Sequence, residues 1–254
     1  MKWFVNEGSI VREIWGKADT ILFIFAGASA EFALNKSVDW LYFTGKLPAD
    51  PLGRLFSTVS YARQIVFSEY DDAMRAIRQI ASIHQGVERS RNARIPDSAY
   101  RDVLFMLIDY SIRSFELLER KLTLTEKEEL FKVFHAVGEG MGVPGLPSDL
   151  HTWQRMRAEH LQENLIKSHF TIDLYKQYRK HLGWYRYHLL TNVQMRLVPE
   201  RVKTLLGLGY GRLLGFLLPV YKVSRRLGVG AFLRNMFLPE NYKMQVVDLD
   251  MVVH

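Results

Sequence analysis

An all-α fold, a multi-helix bundle, is predicted by three observations. Apolar residues recur with the 3.6-residue period in nearly every segment between the punctuating Gly and Pro residues, and no stretch alternates as a strand does. The composition, 48% hydrophobic and 24% charged over 254 residues, is that of a chain able to bury a sizeable core.

The elements follow in order. Residues 19–43 read as an apolar helix, or a pair of helices broken near Gly27, and Pro48, Asp50 and Pro51 mark a connecting loop. A helix over about residues 52–67 then places Leu55, Val59, Ala62 and Val66 on one face. Asp71 and Asp72 suit the positive end of the next helix, which runs to about Arg89 with Met74, Ile77, Ala81 and His84 as its inward stripe. Pro96 and Asp97 open a helix over 98–118 that is apolar all round at its middle and is expected at the centre of the core. Thr125 with Glu128 reads as a capping box for a further helix, which Gly140, Gly142, Pro144, Gly145 and Pro147 bring to an end. Four or five core helices are therefore expected before residue 142. Beyond them lie a helix from Trp153 to Ser168, an aromatic stretch (Tyr175, Tyr178, Trp184, Tyr185, Tyr187) and a basic, apolar segment from Arg201 to Arg234. No repeat or low-complexity linker divides the chain. Residues 1–254 are read as one domain, with a core over about 6–165 and a less regular, basic C-terminal third over 166–254.

Composition also removes function classes. Without cysteine there are no disulfides, zinc-thiolate sites, iron–sulfur clusters or thiol nucleophiles. The net charge of +7 is scattered along helices rather than massed in a tract, which argues against nucleic acid as a partner. The longest apolar run, Ile21 to Ala30, is shorter than the about 20 residues that span a bilayer, and the N-terminus lacks the pattern of a signal peptide, so the cytoplasm is the expected location. Phosphate-binding glycine loops, nucleophile elbows, HExxH and dinucleotide fingerprints are missing. Gly207, Gly209 and Gly211 fit no phosphate motif and read as helix punctuation.

Four side chains could carry chemistry. His84 lies on the apolar stripe of its helix among Ile77, Ile80 and Val87, as either a core histidine or a ligand. Arg54 and Thr58, four apart, emerge from one helix face. They are either a surface pair or a pocket edge where the guanidinium fork meets a carboxylate. Asp109, in the most apolar helix, needs a partner, and Arg113 one turn later supplies it as a structural ion pair.

Together these segments resemble the family that includes bacterial latex-clearing (rubber) oxygenase and the membrane-bound MpaB oxygenase. The resemblance runs over about residues 6–165. It rests on Asp50-Pro51 with Arg54, Leu55 and Thr58, and on Phe67 nine positions later; on Ala76-Ile77 with Ile80, Ile83-His84 and Val87; on Asp109 with Ile112-Arg113 and Glu116; and on Gly142-Val143-Pro144 with Pro147 before Trp153. It implies an all-α fold around haem b, with His84 as proximal iron ligand, Arg54 near a haem propionate and Thr58 on the pocket wall. It further implies O2 as co-substrate and an apolar small molecule, isoprenoid or unsaturated lipid-like, as substrate. Many relatives carry further histidines where this chain has Leu34, Thr44 and Leu104, so no role transfers to those positions. The rubber-cleaving branch has Lys where Ser57 stands. A second expectation is a non-catalytic haem- or lipid-binding helical protein at a membrane surface, for which Arg201, Lys203, Arg212, Lys222, Arg225, Arg226 and Arg234, interleaved with Leu and Phe, would meet anionic lipid.

Overall fold

The computed structural model describes residues 2–209. These form eleven α-helices: α1 (Ile10–Trp15), α2 (Ala18–Phe32), α3 (Asp39–Phe43), α4 (Lys46–Ala49), α5 (Pro51–Phe67), α6 (Tyr70–Arg91), α7 (Asp97–Leu118), α8 (Leu124–Gly140), α9 (Leu150–Glu163), α10 (His169–Leu197) and α11 (Glu200–Leu206). No strand occurs among the described residues, which establishes the all-α class.

The centre of the bundle is the pairing of α2 with α7, the most extensive contact between any two helices. The all-round apolar middle of α7 accounts for its place, since Leu104, Phe105, Met106, Ile108, Tyr110 and Phe115 are all buried. Gly27 does not break α2. An added Cβ there would lie 2.3 Å from the Tyr110 ring, so glycine is required for α7 to cross close above it rather than for a bend. The chain turns later instead, at Leu34–Asn35, where a 3-10 turn (Lys36–Val38) leads into α3.

The segment expected to be a loop at Pro48–Pro51 is mostly helical. α4 runs to Ala49, and Asp50 then caps α5 by accepting a bond from the Gly53 backbone N–H at 2.9 Å. Pro51 falls at the first helical position, where its fixed φ and missing N–H cost nothing. Along α5, Val59, Ala62 and Val66 are buried as expected. α6 packs back on α5. Its inward stripe is buried only in the first half, at Ala73, Ala76 and Ile77, and beyond that point its residues are half-buried or exposed. Arg91 ties its end to α3, binding Asp39 at 2.7 Å and lying over the Trp40 ring.

Two boundaries differ from expectation. The capping box of α8 is Thr123 with Glu126, two residues earlier than Thr125 with Glu128. Both pairs have the same spacing, but buried Leu122 sets where the chain turns, and Arg120 holds the Glu126 carboxylate with bonds of 2.6 and 2.9 Å. The helix expected over Trp153 to Ser168 ends at Glu163, because Asn164 is drawn to buried Asp102 and Ser168 caps the next helix. That helix, α10, contains the whole aromatic stretch and kinks at Gly183, whose φ of 74° is left-handed. Gly207 closes α11 in the left-handed helical conformation.

Candidate functional site

His84 occupies the half-buried part of α6, facing the start of α7. Its ring meets the edge of Tyr100 at 5.3 Å between centroids. Beside it is a cavity of about 140 Å³ formed by α6, the start of α7 and the Met141–Pro144 turn, with Gln85, Glu88, Arg94 and Asp97 giving it a polar wall. Glu88 is held in place by the Ile95 backbone N–H at 2.8 Å and by the Tyr100 hydroxyl at 3.4 Å. Burial, reinforced by the Glu88 charge, pushes the Tyr100 phenol up to about 12, so it stays a donor.

His84 Nδ1 is buried with no hydrogen-bond partner among the described residues. A buried polar atom without a partner costs free energy and calls for an explanation. The imidazole pKa is pushed down from its ordinary value, chiefly by burial and then by the Arg54 charge, with Glu88 partly opposing. The neutral ring is therefore favoured, which is the form that ligates metal.

Arg54 and Thr58 lie together on α5. The Arg54 guanidinium donates to the Ser57 hydroxyl at 3.0 Å and to the Thr58 hydroxyl at 3.1 Å, curling back on its own helix. Among the described residues no carboxylate pairs with it, and burial lowers its pKa. Neither Arg54 nor Thr58 is among the residues lining the cavity at His84. The Arg54 charge reaches the imidazole, but the space next to His84 belongs to α6 and α7 rather than to α5. The wall is also polar, where the sequence leads one to expect a common apolar pocket.

The three positions at which the resemblance implies histidine, here Leu34, Thr44 and Leu104, have structural roles. Leu34 and Leu104 are buried in the core, and the Thr44 hydroxyl donates to the Leu41 carbonyl at 2.8 Å at the end of α3.

Sequence reasoning missed most of the buried charge. Asp109 does pair with Arg113, at 2.8 Å. It also binds Arg157, which is 5% exposed and bonds Glu31, 2% exposed, through both guanidinium nitrogens at 2.5 and 2.6 Å. The Tyr110 hydroxyl donates to the same Glu31 carboxylate at 2.8 Å. Burial acts to lower the Arg157 pKa, but the Glu31 and Asp109 charges outweigh it and hold the guanidinium ionised. A further buried carboxylate, Asp102, gathers His160, Asn35 and Asn164. Asp109 in its apolar helix pointed here, and a second signal was available in Glu31: a carboxylate at the end of an apolar run has to find a cation.

Among the described residues no helix is long and apolar enough to cross a membrane. Of the basic residues assigned to a lipid surface, Arg212, Lys222, Arg225, Arg226 and Arg234 lie outside the described residues, as does Gly211.

A family model described as "ER-bound oxygenase mpaB/B'/Rubber oxygenase, catalytic domain" matches residues 17–221, most of the chain. No curated protein and no solved structure matches it.

Proposed function

The chain belongs to the MpaB and rubber oxygenase catalytic-domain family, and from that premise we propose that it is a haem b-dependent oxygenase that oxidises an apolar small molecule, isoprenoid or unsaturated lipid-like, with O2. One observation carries the reading at the level of atoms: the Nδ1 of His84 is buried, without a partner among the described residues, and belongs to an imidazole held toward its neutral form.

The donor set suits haem. His84 would hold the iron through its imidazole, and Arg54 would offer a half-buried guanidinium whose hydrogen bonds, among the described residues, go to hydroxyls of its own helix. A propionate would satisfy that fork with two charge-assisted bonds. Thr58 stands beside Arg54 as a hydroxyl on the same face. Haem, when bound, supplies the iron chemistry that activates O2 for attack on a carbon–carbon double bond. This chain's part is to hold the imidazole neutral, anchor the carboxylate and keep water from the substrate. The cavity beside His84, about 140 Å³, is smaller than the roughly 300 Å³ at which small-molecule pockets begin. Seating haem there would therefore require side chains lining the cavity to move aside.

The test is reconstitution with haem b, following the Soret band and thermal unfolding on the same samples. His84→Ala is expected to fold and to lose the band. Arg54→Ala should retain the imidazole-type spectrum but release haem more readily, by a margin of roughly 1.5–3 kcal/mol. An intact haem spectrum in folded His84→Ala protein overturns the assignment, leaving His84 as a core residue whose truncation costs only stability.

A further inference from the structure

A second cavity, of about 150 Å³, opens between α2, α5 and the kinked α10. Ile21, Phe56, Val59, Leu182 and Val193 give it an apolar wall. On α5 the lining residues Leu52, Phe56 and Val59 are spaced by four and three and share one face. At 100° per residue, Arg54 and Thr58 lie on the opposite face of the same helix. The cavity is thus separate from the surroundings of His84, and its occupancy does not depend on haem.

Three polar side chains reach this cavity: Ser29, Tyr178 and Arg186. Two are already satisfied within the protein. The Ser29 hydroxyl donates to the Ala26 carbonyl at 2.9 Å and accepts from Gln194 at 3.2 Å, and the Tyr178 hydroxyl donates to the Ser29 carbonyl at 3.3 Å. Arg186 differs, because its Nε is buried with no hydrogen-bond partner among the described residues. The kink at Gly183 lets Leu182 before it and Arg186 after it border one space. A buried Nε–H of this kind donates to one oxygen of a planar carboxylate, and an Nη–H of the same fork can meet the other.

We propose that this cavity binds a small amphipathic carboxylate, a fatty-acid-like anion with its chain among α2, α5 and α10 and its head on Arg186. The volume resembles that of apolar cavities that hold a benzene-sized guest, which sets the enclosed chain at about six to eight carbons. A neutral ligand of the same length fills the same wall but leaves the Arg186 N–H without a partner, so the head group decides affinity.

The experiment is calorimetric titration of the full chain with sodium octanoate and, separately, octan-1-ol. Octanoate is expected to bind saturably, with octanol weaker by about tenfold or more, the effect of one charge-assisted bond. Arg186→Leu should lose that tenfold for octanoate and leave octanol unchanged, whereas Arg186→Lys should keep part of it. Val193→Phe, shown to be folded by circular dichroism, should abolish both by filling the space. The proposal is overturned if octanoate and octanol bind alike, if Arg186→Leu binds octanoate as the parent does, or if binding survives in folded Val193→Phe. It is equally overturned by the absence of saturable octanoate binding.

Discussion

At the scale of single residues, His84 shows how burial and charge select a protonation state. Desolvation and the Arg54 charge together outweigh Glu88, so the folded protein holds the imidazole below the value near 6.5 of an unfolded chain. Between those two values the unfolded state binds more protons. The stability that neutral His84 contributes is therefore complete above about pH 6.5 and is lost as pH falls through the folded-state value. Unfolding temperatures at pH 7.5 and 5.5 should fall further for the parent protein than for His84→Gln, and parallel profiles would show that His84 does not couple to folding. That His84 lies on an inward stripe was legible from its spacing to Ile77 and Ile80. That Arg94, Asp97 and Tyr100 would complete a polar wall with Gln85 and Glu88 of its own helix was not, because they arrive from a turn and a helix whose position no local pattern encodes.

At the scale of elements, helix existence and the central place of α7 followed from periodicity, while breaks and boundaries depended on tertiary contacts. Gly27 is the clearest example. Glycine within a helix reads locally as a weak point, yet here it is the close approach of Tyr110 that requires it. Gly86 in α6 has the opposite setting, with nothing within 4 Å of an added Cβ. Gly86→Ala should stabilise the protein by roughly 0.5–1 kcal/mol, the helical preference of alanine. Gly27→Ala gains the same preference but must push the Tyr110 ring from a buried site, at a cost of about 1–3 kcal/mol for overpacking, so it should destabilise. Thermal unfolding of the two variants beside the parent checks the pair, and a shift of the same sign in both would refute the role assigned to Gly27. The capping box fits the same pattern: two Thr-x-x-Glu pairs stood two residues apart, and buried Leu122 and Arg120, outside either pair, decided between them.

At the scale of the whole molecule, one network ties distant parts of the chain. Arg157 on α9 joins Glu31 of α2, 126 positions away, to Asp109 of α7, and Arg113 extends the network to the Leu197 carbonyl at the end of α10. The i,i+4 half of it, Asp109 with Arg113, was legible in the sequence because a helix fixes that geometry. The Glu31–Arg157 half was not, since it exists only once α2, α7 and α9 have packed. The two guanidiniums should differ greatly in weight. Arg113 has 40% of its side chain exposed, where water screens the pair and replaces what is lost, so Arg113→Met should cost no more than about 1 kcal/mol. Arg157 has 6% of its side chain exposed, and its removal strands a carboxylate with 2% exposure in an apolar core, leaving the Tyr110 hydroxyl as its one side-chain donor among the described residues. Breaking such a pair from one side costs about 3–5 kcal/mol, because the remaining charge must be neutralised or reached by water. Arg157→Met should therefore lower stability several times more than Arg113→Met, although methionine fills much of the same volume. Urea unfolding with unchanged m values measures both losses directly. Equal losses would mean that α2, α7 and α9 are held by their apolar faces alone, with the buried charges contributing nothing to their arrangement.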